Sequence, residues 1–152
     1  MNFIYDTNII LAIVRSQKTD ELIDLLNPLD KNVYLSVIIE AELKSIAFQN
    51  NWGRKKISKL DFYLERFSFT EVTKSLINTY IEIDSFSQRK NPNFSNYDFD
   101  TPKNMGKNDL WLASTATLLG LELVTTDGDF AHLHNVFLEV RQIAPNDLKQ
   151  YF

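Results

Sequence analysis

Three carboxylates in the sequence follow short apolar runs that are typical of buried strands. Asp6 follows FIY near the start of the chain, and Asp127 and Asp129 follow ELVT within TTDGDF. Parallel sheets bind ligands beyond the carboxyl ends of their strands. We therefore expect these acids to line one edge of a sheet, where their oxygens could hold a divalent cation.

A fourth carboxylate, Glu42, lies within a predicted helix. It shares a stripe of helical spacing with Ile38, Ala41 and Ser45, and we expect that stripe to face inward. Glu40 lies nearly opposite and is spaced for an exposed ion pair with a lysine four residues later. Glu42 is therefore the glutamate of this helix that could join the acids at the sheet edge.

A fifth carboxylate, Asp109, begins the helical segment DLWLASTATLLG, which is apolar or small almost all round. It shares a face with Leu112, Ala113 and Ala116. Solubility does not explain a carboxylate on such a face. Asp109 is thus a further candidate for the same site.

Each acid also has a purely structural explanation. Asp6 and Asp109 could cap helix N-termini, where the helix dipole stabilises carboxylates. Asp127 could close a turn with Gly128, and Glu42 could accept a buried hydrogen bond. Several such coincidences at one sheet edge are harder to explain than one shared site, because clustered carboxylates repel each other and burial penalises their charge.

A divalent cation would remove that repulsion. The chain has no cysteine and only two histidines, His132 and His134, which we expect at the surface, so any metal would be held by oxygen. Oxygen ligands favour Mg²⁺ or Mn²⁺, and these ions promote phosphodiester cleavage by lowering the pKa of bound water.

Length and composition predict one domain over residues 1–152. The 152 residues, of which 44% are hydrophobic, are enough for one core. No apolar stretch is long enough for a membrane span and no signal peptide is evident, so we expect a soluble, cytoplasmic protein. The net charge of -4 argues against nonspecific coating of nucleic acid, which needs many cations.

Two local groups of cations could still contact the phosphates of a nucleic acid. They are Arg54, Lys55, Lys56 and Lys59 beside Trp52, and Lys103 with Lys107. Their simpler interpretation is a solvated helix face and a polar loop. We expect the first group to carry any RNA binding, because its cations recur within two helical turns.

Short apolar runs alternate with helical segments, which predicts an α/β fold with a mainly parallel sheet covered on both faces. Predicted strands span residues 2–5, 33–35, 122–125 and 136–141. Predicted helices span residues 8–15, 20–27, 37–50, 54–67, 74–88 and 109–119, with Thr19, Ser36 and Asn108 as N-caps. Gly120 is the expected left-handed stop of the last helix.

Residues 91–107, NPNFSNYDFDTPKNMGK, predict a long loop rich in Asn, Asp and Pro. Because few apolar groups anchor it, we expect it to be mobile and to order against a substrate or partner. Phe94, Tyr97 and Phe99 are the exception and could pin it to the domain instead.

Four motifs taken together resemble the PIN-domain ribonucleases, and most closely the VapC toxins of bacterial toxin-antitoxin pairs. They are IYDTNIIL, SVIIEAEL, MGKNDLWLASTA and LVTTDGDF, which occur in the order of that family and are spread over most of the chain. The resemblance implies a three-layer α/β/α PIN-like domain. It matches the family's acidic quartet to Asp6, Glu42, Asp109 and Asp127, with Asp129 as an auxiliary acid or the alternative fourth member, and Asn8 and Thr126 as polar residues that orient water or metal.

The same resemblance implies a Mg²⁺-dependent endoribonuclease, in which the quartet holds the metal and metal-activated water cleaves RNA. It also implies a homodimer and a cognate antitoxin protein that blocks the acidic site. The loop before Asp109 is longer than in many short family members, which leaves substrate contacts unassigned.

Two other classes of function remain open. One is a PIN-like RNA-binding module that does not cleave, although intact acids at all four positions argue against it. The other is a receiver- or phosphatase-type protein in which Asp6 is phosphorylated. Such sites require a second acid in a D-x-D arrangement, whereas position 8 holds Asn8.

Overall fold

Five short parallel strands form the centre of the protein in the computed structural model, which describes residues 1–152. The strands are β1 (Phe3–Tyr5), β2 (Val33–Ser36), β3 (Ser68–Thr70), β4 (Glu122–Thr125) and β5 (Glu139–Gln142). They form one sheet in the order β3-β2-β1-β4-β5, and every pairing is parallel. The predicted α/β class with a parallel sheet is therefore confirmed.

Helices connect and cover these strands. They are α1 (Thr7–Arg15), α2 (Thr19–Leu26), α3 (Val37–Gln49), α4 (Arg54–Leu64), α5 (Ile77–Ser87), α6 (Lys107–Leu119) and α7 (Pro145–Leu148). Successive side chains of a strand point to opposite faces of the sheet, yet Phe3, Ile4 and Tyr5 of β1 are all buried. Both faces of the sheet are therefore covered at its centre. No helix has the length and hydropathy that a membrane span requires.

Some elements have no clear signal in the sequence. The helical pattern predicts helix through residue 67, but α4 ends at Leu64 and the edge strand β3 follows. Ser68 and Phe69 of β3 are both exposed, so this strand lacks the buried residues by which a pattern is recognised. Neither β3 nor the short helix α7 is predicted, and β5 begins at Glu139 rather than at residue 136.

Two predicted N-caps are wrong. Lys18 rather than Thr19 is the N-cap of α2, because the Thr19 hydroxyl donates to a backbone carbonyl instead. Gly106 rather than Asn108 is the N-cap of α6, because the side-chain amide of Asn108 donates to Glu42. In both cases the side chain donates to an acceptor outside the helix that it was expected to cap.

The inward face of α3 also differs from the prediction. The buried residues of this helix are Ile39, Leu43 and Ala47, whereas Ala41 and Ser45 are exposed. Both sets have helical spacing and both include apolar residues, so periodicity alone could not choose between them. The position of Glu42 relative to the sheet edge is therefore set by the neighbouring elements, not by an inward stripe.

Residues 88–106, here called the aromatic loop, form neither helix nor strand between α5 and α6. The rings of Phe94, Tyr97 and Phe99 surround the buried ring of Phe86, with centroids 4.7, 5.2 and 5.5 Å from it. Asn91 is only 3% exposed. The loop is thus pinned to the domain by the aromatic side chains, as the alternative prediction had it.

We predict that Asn91→Ala destabilises the protein and loosens this loop. The side-chain amide of Asn91 donates to the backbone oxygen of Glu82 at 3.0 Å, and its oxygen accepts from the N–H of Asn93 at 2.9 Å. Removing a buried hydrogen-bonding group costs about 1–3 kcal/mol. Chemical denaturation should show that loss, and hydrogen exchange in the loop should accelerate. Asn96→Ala, at an exposed position of the same loop, should change neither measurement.

Candidate active site

The acids at the ends of β1 and β4 meet because these strands are neighbours. β1 pairs with β4 in parallel, so both chains leave the sheet at the same edge. Asp6 is the first residue after β1, and Asp127 lies two residues after the end of β4. The backbone N–H of Asp6 donates to the carbonyl of Val124 at 3.1 Å, which extends the pairing to the start of the acidic site.

Asp6 is nearly buried, with 7% of its surface exposed. One carboxylate oxygen accepts from the N–H of Thr7 at 2.7 Å, and the other accepts from the hydroxyl of Thr125 at 2.7 Å. Asp6 therefore caps α1, as its purely structural explanation predicts. Burial nevertheless raises the pKa of Asp6, and the charges of Glu42 and Asp127 raise it further against the two hydrogen bonds.

Glu42 is held from two directions. The hydroxyl of Thr7, at the start of α1, donates to one of its oxygens. The side-chain amide of Asn108, in the first turn of α6, donates to the other at 2.8 Å. Glu40 pairs with Lys44 at 2.9 Å, as predicted for an exposed ion pair. Of the two glutamates, Glu42 is thus the one directed to the acidic edge.

Three further carboxylates complete the cluster. Oxygen atoms of Asp109, Asp127 and Asp129 lie within 4.8 Å of one another. Asp127 also closes its turn, because one of its oxygens accepts from the N–H of Asp129 at 2.9 Å. Asp109 does not cap α6, since Gly106 does so and no hydrogen bond within the chain reaches its carboxylate.

The electrostatics of Asp109 show that the acids act on one another. Burial raises the pKa of Asp109 to about 6, and the charges of the other four acids raise it as well. Those four are Asp6, Asp127, Asp129 and Glu42. Neither ion pair of the protein involves any of these five carboxylates. We call this group the acidic cluster.

The oxygen-only composition of the acidic cluster fits a hard divalent cation. Close carboxylates without a cationic partner are the ligands that Mg²⁺ and Mn²⁺ prefer. No cysteine exists in the chain, and His132 and His134 both form hydrogen bonds elsewhere. The donor set therefore suits these ions rather than zinc.

The polar residues that organise the acidic cluster are mostly not those expected from the sequence. Neither the exposed Asn8 nor the half-buried Thr126 forms a side-chain hydrogen bond within the chain. Their neighbours Thr7 and Thr125 hold Glu42 and Asp6 instead. Thr7 and Thr125 are next to Asn8 and Thr126 in the sequence, and periodicity cannot tell which of two adjacent polar side chains points inward.

The basic group on α4 lies far from the acidic cluster. Lys55, Lys56 and Lys59 line a cavity of about 400 Å³ together with Arg15 and Gln17, at the end of α1. α1 begins beside Asp6 and has nine residues, so its ends are roughly 12 Å apart along the axis. The cations predicted to carry RNA binding therefore face a different part of the surface.

Part of that basic group is already occupied by contacts within the protein. The ammonium of Lys59 donates to the carbonyl of Ser16 and the hydroxyl of Thr19, each at 2.8 Å. Lys56 lies 4.1 Å from the ring centre of Trp52. These contacts support the simpler interpretation of the group as a helix surface.

The second basic pair lies beside the acidic cluster. Lys103 lines a cavity that Asp129 also lines. Lys107 is the first residue of α6, two positions before Asp109. Both lysines are exposed. Of the two predicted basic groups, this pair is therefore the one that lies beside the acids.

His132 is not the surface residue expected from the sequence. It is half-buried, its Nε2 lies 2.8 Å from the hydroxyl of Ser87, and burial lowers its pKa to about 4. The sequence could not show this because the burial comes from α5 and the aromatic loop. His134 is exposed, as predicted.

The chain belongs to the PIN domain family, whose family model matches residues 3–135. Its fold is similar to that of VapBC2 from Rickettsia felis, solved with a fragment of promoter DNA, with a TM-score of 0.72 and 22% identity over 93% of this chain and 98% of that one. VapBC-1 from nontypeable Haemophilus influenzae gives a TM-score of 0.68 and 22% identity over 93% and 98% of the two chains. The Sarcin-Ricin loop cleaving toxin VapC20 from Mycobacterium tuberculosis gives 0.56 and 16% identity over 92% and 99%. No curated protein sequence matches the chain significantly.

Asp109→Asn tests whether the acids form one metal site. With a folded-state pKa of about 6 against an ordinary value of 3.8, ionised Asp109 destabilises the folded protein fully above about pH 6 and not below about pH 4. Without metal, the variant should therefore melt a few degrees higher than the parent at neutral pH, and the difference should vanish in acid. Mg²⁺ should stabilise the variant less than the parent.

Glu40→Gln is the matched control, because it removes one carboxylate that pairs with Lys44 outside the acidic cluster. It should not raise the melting temperature and should leave the response to Mg²⁺ unchanged. An Asp109→Asn variant with unchanged melting and full stabilisation by Mg²⁺ would contradict a shared site.

Proposed function

We propose that the protein is a Mg²⁺-dependent endoribonuclease and the toxin of a VapBC-type toxin-antitoxin pair. The observation that carries the proposal is the acidic cluster, a set of mutually repelling carboxylates without cationic partners at the carboxyl edge of a PIN-domain sheet. The similar fold of VapC20, a Sarcin-Ricin loop cleaving toxin, supports RNA as the substrate. An RNA-cleaving toxin would act in the cytoplasm, where its substrate lies.

The proposed metal ligands are Asp6, Glu42, Asp109 and Asp127, with Asp129 as an auxiliary acid. When bound, Mg²⁺ or Mn²⁺ would lower the pKa of water and stabilise negative charge that develops on phosphate oxygens. Asp109 accepts no hydrogen bond within the chain, so its oxygens remain available to a cation. No side-chain nucleophile is required for hydrolysis of this kind.

The chain's own contribution is to hold the acids in place before any ligand binds. The Thr125 hydroxyl donates to Asp6 and accepts from the N–H of Asp127 at 3.0 Å, so one side chain positions two acids. Thr7 and Asn108 fix both oxygens of Glu42. Preorganised ligands of this kind reduce the reorganisation needed when a metal and a phosphate arrive.

The proposed protein partners are a second copy of the chain and a cognate antitoxin. The fold matches include VapBC structures and a toxin-antitoxin complex from Klebsiella pneumoniae. An antitoxin that inserts a basic side chain among the unpaired carboxylates would compete with the metal and inhibit cleavage.

The phosphate-receiver hypothesis fits the site less well. Both oxygens of Asp6 accept hydrogen bonds, and only 7% of the residue is exposed. Phosphorylation of Asp6 would break these contacts, and position 8 supplies no second acid. An assay for RNA cleavage distinguishes a non-cleaving RNA-binding module from a nuclease.

We predict that purified protein cleaves single-stranded RNA internally with Mg²⁺ and that EDTA abolishes the reaction. Asp109→Asn should reduce the rate by at least about a hundredfold, because it removes a charge that binds the metal. Gel analysis of end-labelled RNA measures this, with Glu40→Gln as the variant that retains activity. RNA binding without Mg²⁺-dependent cleavage would favour the non-cleaving module.

We predict that the lysines beside the acidic cluster, and not those on α4, contact the phosphates of bound RNA. Each single-strand phosphate contact adds about 0.7 to the slope of log affinity against log salt, so Lys103→Gln with Lys107→Gln should flatten it by up to about 1.4. Binding is measured in EDTA to prevent cleavage. Arg54→Gln with Lys56→Gln removes the same charge and should leave the slope nearly unchanged. The reverse result would place RNA at the far end of α1.

A further inference from the structure

A cavity of about 410 Å³ adjoins the acidic cluster and has no role in metal binding as described above. Asp129 belongs to both the cavity wall and the carboxylate triad whose oxygens lie within 4.8 Å of one another. The opposite wall comes from the aromatic loop. A ligand in the cavity would therefore lie next to whatever reacts at the acids.

The size of the cavity and its aromatic wall limit the kinds of ligand it can take. Its volume lies within the range of roughly 300–1,000 Å³ that small-molecule sites occupy. Phe99 lines it and is partly buried. The ring is held by Phe86 and Tyr97, with centroids 5.5 and 5.6 Å away, and by His132 at 5.3 Å. Such a fixed ring offers a rigid surface for a flat ligand.

Polar groups around Phe99 have the donors and acceptors that a nucleobase edge requires. The side-chain oxygen of Asn104 accepts from the amide of Gln88 at 2.9 Å, which leaves the Asn104 amide N–H groups free. Asp98 supplies an acceptor, and the ammonium of Lys103 supplies a positive charge at the same cavity. None of these three side chains is buried.

His132 lines the cavity, and its Nε2 already has a partner within the protein. Its Nε2 lies 2.8 Å from the hydroxyl of Ser87. It therefore ties α5 to the turn that carries Asp129. The cavity wall and the acidic cluster are thus parts of one connected structure.

We propose that this cavity receives one unstacked nucleobase of a single-stranded RNA, with the base against Phe99 and its edge facing Asn104 and Asp98. The proposal deepens and rests on the proposed ribonuclease function, because it assigns the nucleotide next to the cleaved phosphate. Lys103 then lies where it can meet the flanking phosphate. A duplex cannot enter, since its bases are stacked and their pairing edges are occupied.

The test compares RNA binding by variants of the full chain in EDTA, where no cleavage occurs. Phe99→Leu keeps an apolar side chain but removes the ring, and should weaken binding of single-stranded RNA about tenfold, the usual order for loss of one base-aromatic stack. Phe99→Tyr keeps the ring and should bind the RNA as tightly as the parent does. Asn104→Ala, at an exposed position, should change the preference among the four homopolymer RNAs.

Asn96→Ala, on the same loop outside the cavity, is the matched control and should bind like the parent. RNA containing 4-thiouridine should cross-link to the peptide that includes Phe99. Parent-like binding and base preference in both Phe99→Leu and Asn104→Ala would overturn the proposal, even if Mg²⁺-dependent cleavage is observed. Variants that lose affinity only for an arginine-rich peptide would also overturn it, because the cavity would then serve a protein partner.

Failure of the proposed function gives a different result. If the parent shows no Mg²⁺-dependent cleavage but Phe99→Leu still loses RNA binding and the cross-link maps to Phe99, the nuclease assignment fails and the base site stands. The two proposals therefore have separate readouts.

Discussion

The parallel pairing of β1 with β4 is the constraint on which the rest of the site depends. It aligns Tyr5 with Val124, so the chain leaves both strands at one edge of the sheet. Thr125, the last residue of β4, then reaches Asp6, which is 119 positions away in the sequence. Without this pairing, the Thr125 hydroxyl would not join Asp6 to the Asp127 turn, and these two acids would only cap their own elements.

Repulsion among the acids and their burial lower the free energy of unfolding, and the apolar core offsets that loss. The strands below the acids contribute Ile4, Leu35 and Leu123, which are fully buried. A buried aliphatic side chain of this kind contributes about 1.5–3 kcal/mol relative to an exposed one. The acids can therefore remain unpaired, because the geometry of the edge is fixed by apolar packing and by neutral donors. Neutral donors leave the negative charge available to a cation, whereas lysine or arginine partners would cancel it.

The sequence predicted which acids lie together better than it predicted what holds them. Asp6 and Asp127 could be placed because strand ends are visible as apolar runs, and Asp109 because a carboxylate on an apolar helix face is conspicuous. Glu42 was selected through a stripe on α3 that does not in fact face inward. Thr7, Thr125 and Asn108 were missed as organisers, because their roles depend on contacts between elements that are distant in the chain. The burial of His132 was missed for the same reason, whereas the edge strand β3 was missed because Ser68 and Phe69 are exposed.

The aromatic loop shows how contacts that the sequence does not reveal shape the candidate site. Its sequence is polar enough to indicate mobility, but Phe86 of α5 collects its aromatic residues into a packed group. That packing fixes the path of the chain into Gly106, and so the start of the helix that carries Asp109. The same ring contacts place Phe99 on the wall beside Asp129. A loop that looks dispensable from its composition therefore positions one acid of the cluster and supplies the Phe99 wall of the neighbouring cavity. The proposed metal site and the proposed base site thus both depend on packing against α5, and the cations of α4 lie apart from both.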